Sequence, residues 1–192
     1  MKIRESGMPE LEMWKKFFDP IKILTTLGLN KKIKDVAEFG CGYGTFTIPA
    51  AKIIKGIIYA LDIEPEMIRI TNKEAEKHNL NNVKTILCDF MTQGCGLSEE
   101  SVDYVMLFNI LHLEEPCALL TEAYKILKDK GKLGIIHWNY DTSTPRGPSM
   151  DIRPKQEQCI EWAKKVGFIK PKQFDLKPYH YGIVLSKKGK NK

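Results

Sequence analysis

Short apolar segments alternate with longer amphipathic segments through most of the chain, and this alternation restricts the possible folds more than any other feature. Segments rich in Val, Ile and Leu are predicted to be strands at 35–39, 56–61, 83–87, 102–108 and 132–137. Amphipathic helices are predicted between them at 45–55, 65–79 and 117–128. Strands that alternate with helices run parallel and are joined by right-handed crossovers, with both faces of the sheet buried. The pattern therefore predicts an open α/β sheet.

Both ends of the chain depart from this alternation. The elements predicted there are helices at 9–18, 21–30 and 155–166 and extended segments at 168–176 and 179–186. A long loop is predicted at 139–154, because these residues include three prolines and one glycine. Only Lys177 and Pro178 separate the two extended segments, so this last pair is predicted to be antiparallel.

The composition is that of a folded domain. With 43% hydrophobic and 28% charged residues, the chain can bury one core of ordinary size. No apolar segment approaches the roughly 18 residues of a membrane span, so membrane insertion is not expected. The five cysteines are never spaced C-x-x-C, which favours reduced thiols and predicts no disulfide framework and no metal site. Because the first residues also contain no apolar leader, a cytoplasmic protein is expected.

A glycine-rich segment, Glu38-Phe-Gly-Cys-Gly-Tyr-Gly44, follows the first predicted strand and precedes a predicted helix. Glycines at such a position allow positive φ angles and let a ligand approach the backbone closely. A tight turn between strand and helix would use the same residues, so this segment alone leaves both interpretations open. Glu38 disfavours a phosphate cradle, because a carboxylate repels phosphates and attracts cations or hydroxyl groups.

Polar side chains also end the next three predicted strands. Asp62, Asp89 and Asn109 each follow an apolar segment directly, and Asp62 lies where a ribose diol is held in related sheets. By itself Asp62 could cap the helix that is predicted to begin at Pro65. Four successive strand ends with polar side chains favour a common ligand site instead, because parallel strands end at one edge of the sheet.

Five segments together resemble the class I S-adenosylmethionine-dependent methyltransferases, over roughly residues 30 to 140. They are EFGCGYGTF, LDIEPEMI, CDF, SVDYVMLFNILHL and ILKDKGKLGIIHW. The resemblance implies a Rossmann-like, doubly wound sheet of seven strands, mostly parallel with an antiparallel last strand. It also implies S-adenosyl-L-methionine as the cofactor and the activity of a methyltransferase.

The resemblance assigns cofactor contacts to residues at the strand ends. The implied cofactor-binding residues are Glu38, Gly40, Gly42, Asp62, Ile63, Met67, Asp89, Phe90 and Asn109. Glu38 and the glycines would hold the methionine part, with Glu38 near its ammonium, and Asn109 would face the same end. Asp62 would hold the ribose hydroxyls. Ile63, Met67 and Phe90 would contact adenine, and Asp89 would accept a hydrogen bond from the adenine amino group.

The same resemblance divides the chain, as one domain of residues 1–192, into functional parts. Residues 1–30 would cap the site, 31–138 would form the cofactor-binding core, and 139–186 would supply the substrate-side loop, helix and last two strands. The Lys-rich residues 187–192 are interpreted as a solvated tail, since no aromatic residues accompany them as in a single-strand binding surface.

The acceptor side is predicted less specifically. His137 and His112 are candidate catalytic bases, although His112 could be an ordinary loop residue and His137 could simply end a strand. The candidate substrate-side residues are Trp14, Trp138, Tyr140 and Arg146. Arg146 could clamp an anionic substrate or form an ion pair that stabilises the loop.

The sequence does not identify the methyl acceptor. A small molecule is the first expectation, because the residues after the fourth strand lack the motif of amino-methylating adenine or glutamine enzymes and no RNA-binding domain is appended. An RNA or protein acceptor is the second, suggested by the net charge of +6. The remaining alternatives are an NAD(P)-dependent oxidoreductase and a cofactor-binding module without catalytic activity. Oligomeric state is not predicted.

Overall fold

A computed structural model of the chain describes residues 10–190. The strands are β1 (Val36–Phe39), β2 (Ile58–Asp62), β3 (Val83–Leu87), β4 (Val102–Phe108), β5 (Leu127–Trp138), β6 (Phe168–Leu176) and β7 (His180–Lys187). The α-helices are α1 (Leu11–Trp14), α2 (Pro20–Thr26), α3 (Thr47–Ile53), α4 (Pro65–Lys77), α5 (Pro116–Ile126) and α6 (Gln156–Val166). A short 3₁₀ helix, Lys15–Phe17, follows α1.

The seven strands form one sheet in the order β3-β2-β1-β4-β5-β7-β6. β1 pairs parallel with both β2 and β4, so the chain leaves the centre of the sheet in two opposite directions. β7 pairs antiparallel with both β5 and β6, and the other strand pairs are parallel. The predicted doubly wound sheet with a reversed last strand is thus confirmed. The change of direction at β1 and β4 opens a crevice at their carboxyl ends, the usual ligand site in such sheets.

Two buried clusters cover the two faces of the sheet. One packs α5 and α6 against β4, β5 and β7, and it includes Leu107, Ile135 and Ile183. The other packs α2 and α3 against the opposite face, where it includes Tyr104, Ile136 and Val184. Both faces of the sheet are therefore covered and shielded from water, as predicted from the nearly continuous apolar sequence of the strands.

Several predicted boundaries differ from the structure. β5 begins at Leu127 rather than at 132, and α5 ends at Ile126. Leu127 is fully buried and pairs with Val102 of β4. Its burial and this pairing favour the strand over a continuation of α5. The predicted helix at 21–30 ends at Thr26, because Gly28 has a φ of 86° that a helix cannot continue.

The predicted helix at 9–18 is also shorter. Its described part is α1 and the 3₁₀ helix that follows it, and the chain is extended at Phe18 before Asp19 caps α2. The predicted start at Pro9 and the last two residues of the predicted tail at 187–192 lie outside the described residues. The prediction of a solvated tail is wrong at Lys187, which ends β7 and is buried, because its Nζ donates to the Leu127 carbonyl at 2.7 Å. Among the helices within residues 10–190, none combines the length and apolar character that a bilayer crossing requires.

Candidate cofactor and acceptor site

The glycine-rich segment forms a loop between β1 and α3 at the carboxyl edge of the sheet. Gly40, Gly42 and Gly44 have φ angles of 73°, 53° and 74°, a region that favours glycine. A Cβ on Gly40 would lie 2.8 Å from the Cδ1 of Ile110, so a side chain at this position would force the Ile110 side chain to move. The loop is held to β2, because the N–H groups of Gly40 and Cys41 both donate to the Leu61 carbonyl, at 2.8 and 2.9 Å.

Asp62, the last residue of β2, is joined directly to this loop. Its Oδ2 accepts from the Gly42 N–H at 2.9 Å, and its Oδ1 accepts from the Glu64 N–H at 3.0 Å. Burial raises the pKa of this carboxyl, and these backbone bonds oppose the rise. The two carboxylate oxygens together have about four lone-pair sites, so Asp62 can still accept a hydrogen bond from a neighbouring hydroxyl group.

Glu38 lies in the middle of β1 beneath the loop and is 2% exposed. Its Oε2 accepts from the Thr47 Oγ1 at 2.5 Å. Burial raises the pKa of Glu38 to about 8, and the hydrogen bond from Thr47 only partly offsets this effect. A cation placed next to this carboxyl would stabilise its charged form, since an opposite charge lowers the pKa of a buried acid.

Two threonines that the sequence analysis missed hold this region in place. Thr47, at the start of α3, supplies the bond to Glu38. Thr71, in α4, is fully buried, and its Oγ1 donates to the Gly42 carbonyl at 2.9 Å. The signal for Thr71 was a hydroxyl on the apolar side of an amphipathic helix, a position that requires a hydrogen-bond partner.

Asn109 follows β4 directly and adopts a φ of 55°, which is uncommon for a residue with a side chain. Its backbone N–H donates to the Ile136 carbonyl at 2.8 Å. Both its amide nitrogen and its amide oxygen are buried and have no hydrogen-bond partner among residues 10–190. A strained residue with an unsatisfied buried amide beside the glycine loop points to a ligand that completes its hydrogen bonds.

The other predicted cofactor residues surround the end of β2. Ile63 is 36% exposed and Met67 is 6% exposed. The Cys88 N–H donates to the Asp62 carbonyl at 3.0 Å, which places Asp89 and Phe90 beside the same strand end. The ring of Phe90 packs edge-on against the ring of Phe39 in β1, with the ring centres 5.1 Å apart. The structure therefore gathers the predicted cofactor residues at the carboxyl ends of β1, β2, β3 and β4.

The two candidate bases form a pair, with Nε2 of His137 and Nδ1 of His112 at 3.4 Å. His137 is fully buried on the side of α5 and α6, next to Tyr181, while His112 is half-buried at the edge. Burial lowers the pKa of His112 to about 4 and that of His137 well below its usual value. Both rings are neutral at pH 7, and only His112 reaches the edge. Their catalytic role stays a prediction.

Aromatic rings cover the opposite side of the same edge. The aromatic layer, as we call it here, consists of Phe17, Phe18, Phe46, Phe108, Trp138 and His180. Trp138 is 2% exposed and lies in this layer, and Trp14 contacts it through Phe18 at 4.8 Å. The segment before α2 thus packs over the strand ends, next to Phe46 at the end of the glycine loop.

Tyr140 and Arg146 lie on the surface of the 139–154 loop instead. Tyr140 is 45% exposed, and the Lys155 Nζ lies 4.8 Å from the centre of its ring. Arg146 is exposed, and its Nη2 lies 3.6 Å from the sulfur of Met13. These two contacts are with surface residues, so the structure does not bring Tyr140 and Arg146 into the aromatic layer.

Arg153, which the sequence analysis did not single out, organises the 139–154 loop from inside. It is 7% exposed. Its guanidinium donates to the carbonyls of Asn139, Asp141, Arg146 and Pro148 and to the Thr144 Oγ1, at 2.6 to 3.3 Å. One side chain therefore gives this irregular segment the internal hydrogen bonds that a strand or helix would otherwise supply.

Arg153→Met is expected to destabilise the protein by about 2–3 kcal/mol, because several loop carbonyls lose their donor at once. Urea unfolding measures this change, and limited proteolysis should show faster cleavage within 139–154. Arg146→Met is the matched control, since this exposed arginine should change stability by no more than about 0.5 kcal/mol. Equal stability of the two variants would contradict the role of Arg153.

Charge is divided between the two edges of the sheet. The segments at the amino ends of the strands (31–35, 55, 99–103, 128–132 and 187–190) hold ten lysines and five acidic residues. The segments at the carboxyl ends (38–46, 62–66, 88–95, 109–117, 139–153 and 177–180) hold nine acidic and three basic residues. The net charge of +6 is therefore concentrated at the edge away from the glycine loop.

A doubly wound sheet with carboxylates at its strand ends, around a glycine loop without basic residues, defines a class of protein. It is the Rossmann-like class in which a ligand binds at the strand ends, and the carboxylates there favour hydroxyl or cationic groups of the ligand over a pyrophosphate.

The family follows from comparison with known proteins. Residues 30–181 match the profile of the family described as Methyltransferase domain. The chain therefore belongs to this family, that of the class I S-adenosylmethionine-dependent methyltransferases, as the sequence motifs predicted.

Individual relatives agree with this assignment. The chain is 30% identical to the demethylmenaquinone methyltransferase of Lactobacillus johnsonii, over 72% of this chain and 53% of that protein. It is 31% identical to aklanonic acid methyltransferase DauC of a Streptomyces species, over 51% of this chain and 45% of that protein. The chain thus spans about half the length of these curated relatives. A SAM-dependent methyltransferase from Aquifex aeolicus has the same fold, with a TM-score of 0.80, 24% identity and coverage of 89% and 90% of the two chains.

Proposed function

We propose that this chain transfers a methyl group from S-adenosylmethionine to a small molecule. The main support is the arrangement of the site. The glycine loop, Asp62 and the unsatisfied Asn109 lie at the carboxyl ends of the strands, at the same edge of the sheet as the aromatic layer. When bound, S-adenosylmethionine supplies an electrophilic methyl group on a sulfonium. The protein has to bind this cofactor, hold the acceptor close to the methyl group and exclude water.

The polar atoms of the site fit this cofactor. Asp62 has lone pairs for a ribose diol, beyond the hydrogen bonds that it already accepts from backbone N–H groups. Glu38 offers a buried carboxyl to the amino-acid end, where an ammonium would favour its ionised form. Asn109 presents an amide donor and an amide acceptor that no described residue satisfies. The Glu38 carboxyl beneath the loop would repel a dinucleotide pyrophosphate.

The division of charge supports a small acceptor over a nucleic acid. A protein that binds RNA through phosphates needs lysines and arginines around the acceptor site. Here the segments around the site hold nine acidic and three basic residues, so they would repel a polyanion. The names of the two relatives above also denote enzymes whose acceptors are small molecules. A protein acceptor is the second candidate, since a relative at 28% identity is named ribosomal protein L11 methyltransferase.

Calorimetry with S-adenosylhomocysteine tests the cofactor half of the proposal, and we expect binding in the micromolar range. A transfer assay with methyl-labelled S-adenosylmethionine then tests the acceptor half. The substrates offered are hydroxyarenes, thiols, amines, arsenite, bulk RNA and a protein extract. Label in a small molecule is the expected result. The absence of binding heat would refute the cofactor half, and label in RNA or protein alone would refute the acceptor half.

A further inference from the structure

His180 begins β7 and therefore lies at the same edge of the sheet as the ends of the parallel strands. Because β7 runs antiparallel, its first residue pairs with Trp138, the last residue of β5. Its side chain is 1% exposed. Neither of its two ring nitrogens has a hydrogen-bond partner among residues 10–190. A buried imidazole with both nitrogens unsatisfied is unusual and destabilises the folded protein.

Packing alone does not account for this histidine. Phenylalanine has a similar shape and would fill the same space without unsatisfied polar atoms. The rings next to the imidazole are apolar. The distances between ring centres are 4.5 Å to Phe18 and 4.3 Å to Trp138. The imidazole thus contributes hydrogen-bonding capacity that nothing in the described protein uses, which points to a ligand.

The rings beside His180 lead to the glycine loop. The rings of Phe18 and Phe46 pack edge-on with their centres 5.2 Å apart, and those of Phe46 and Phe108 do the same at 4.9 Å. Phe46 lies two residues after Gly44, at the end of the loop that is proposed to hold the methionine part of the cofactor. A molecule that replaced the Phe18 ring would therefore lie between His180 and that end of the cofactor site. Such a molecule would have to be flat, because the place now holds a phenyl ring.

The surroundings also restrict the charge of this molecule. Burial lowers the pKa of His180 to about 3, and the charge of Arg153 acts in the same direction, so the ring is neutral. Neither Phe18 nor Trp138 carries a charge to pair with a cation. A neutral imidazole in apolar surroundings suits an uncharged hydroxyl or carbonyl group, whereas an ammonium would be buried without a counterion.

We propose that His180 is the hydrogen-bonding contact of the methyl acceptor, and that the acceptor is a flat, uncharged molecule with a hydroxyl or carbonyl group. This inference rests on the proposed function, of which it specifies the substrate class. The acceptor ring takes the position of Phe18, which covers His180 when no acceptor is bound. His180 is thus a binding and positioning residue, and no proton transfer is assigned to it.

The test compares 1-naphthol with naphthalene, which has the same flat shape without the hydroxyl group. Binding is measured by quenching of tryptophan fluorescence, with the protein saturated with S-adenosylhomocysteine. We expect wild-type protein to prefer 1-naphthol by about ten-fold. His180→Phe should abolish this preference, and His180→Gln should retain part of it. A His180→Phe variant that keeps the full preference would overturn the inference.

Thermal unfolding without ligands gives an independent readout. His180→Phe should raise the Tm by about 2–4 °C, because it removes two unsatisfied buried nitrogens. Tyr181→Phe is the matched control on the other side of the strand. It removes a hydroxyl that donates to the Pro154 carbonyl at 2.9 Å, so it should lower the Tm and keep the preference for 1-naphthol. A lower Tm for His180→Phe would mean that its nitrogens are satisfied in the free protein, and it would overturn the inference.

The binding of S-adenosylhomocysteine separates this inference from the proposed function. His180→Phe should bind it as wild-type protein does, since the Phe18 ring lies between His180 and Phe46 at the end of the glycine loop. If wild-type protein binds no S-adenosylhomocysteine, the proposed function fails. If it binds and the wild-type preference for 1-naphthol is absent, only the inference about the acceptor fails.

Discussion

Asp62→Ala is expected to weaken the binding of S-adenosylhomocysteine by at least about 100-fold, as measured by calorimetry. Two effects add. The variant loses the carboxylate that is proposed to accept hydrogen bonds from the ribose hydroxyls. It also loses the bond from the Gly42 N–H, which holds the glycine loop against β2 at 2.9 Å. A charged acceptor in a buried position is costly to replace, because water cannot take over its hydrogen bonds.

Asp62→Asn separates these two effects. The amide keeps one acceptor oxygen and the shape of the side chain, so the loop should stay closer to its native position while ribose binding still weakens. Glu66→Gln is the control for charge. This exposed residue of α4 pairs with Arg69 at 2.6 Å and lies only four residues further along the chain. Wild-type affinity in Asp62→Ala would refute the role of Asp62, and a loss in Glu66→Gln would point to a general effect of charge.

Glu38→Gln is expected to remove a marked dependence of stability on pH. The pKa of Glu38 is raised on folding from 4.5 to about 8. Between these values the folded protein holds a proton that the unfolded chain has released. The stability from this group is therefore complete below pH 4.5 and declines as the pH rises to about 8, by up to about 5 kcal/mol. Glutamine stays neutral throughout and should flatten this decline.

Urea unfolding of both proteins at several pH values between 5 and 8 measures the difference, since other titrating groups contribute equally to both. Thr47→Val gives a second check. The hydrogen bond from Thr47 lowers the pKa of Glu38, so its loss should extend the decline to higher pH. Identical slopes for wild-type protein and Glu38→Gln would show that Glu38 is ionised in the folded protein at neutral pH.

The positions of the proposed cofactor residues could be predicted because their signals are local in sequence. Parallel strands carry Glu38, Asp62 and Asn109 within or just after an apolar segment, and the sheet brings these positions to one edge. The glycine loop and the helix after it follow the same local rule. Thr47 and Thr71 were missed, because a threonine in a helical pattern does not reveal which distant carboxyl or carbonyl it contacts.

The residues of the proposed acceptor side could not be predicted in the same way, because their positions depend on tertiary packing. His180 comes at the start of a strand, and only the reversed direction of β7 places it at the site edge. The hydrogen-bond partners of Arg153 are mostly backbone carbonyls. Because every residue has a backbone carbonyl, the sequence does not indicate which residues Arg153 contacts. His137 was assigned correctly to the end of β5, but its buried ring lies beside Tyr181, on the side of the sheet away from the aromatic layer.

The position of β7 has a consequence for how the protein is made. β7 follows β6 along the chain, yet it lies between β5 and β6 in the sheet. While a ribosome is still synthesising residues 180–187, β5 and β6 have completed their sequences but lack the strand that joins them. The nascent chain therefore carries an open sheet edge that invites pairing with other chains. Pairing of β7 with both β5 and β6 closes this edge, so any form of the protein in which β7 is displaced would be prone to aggregation.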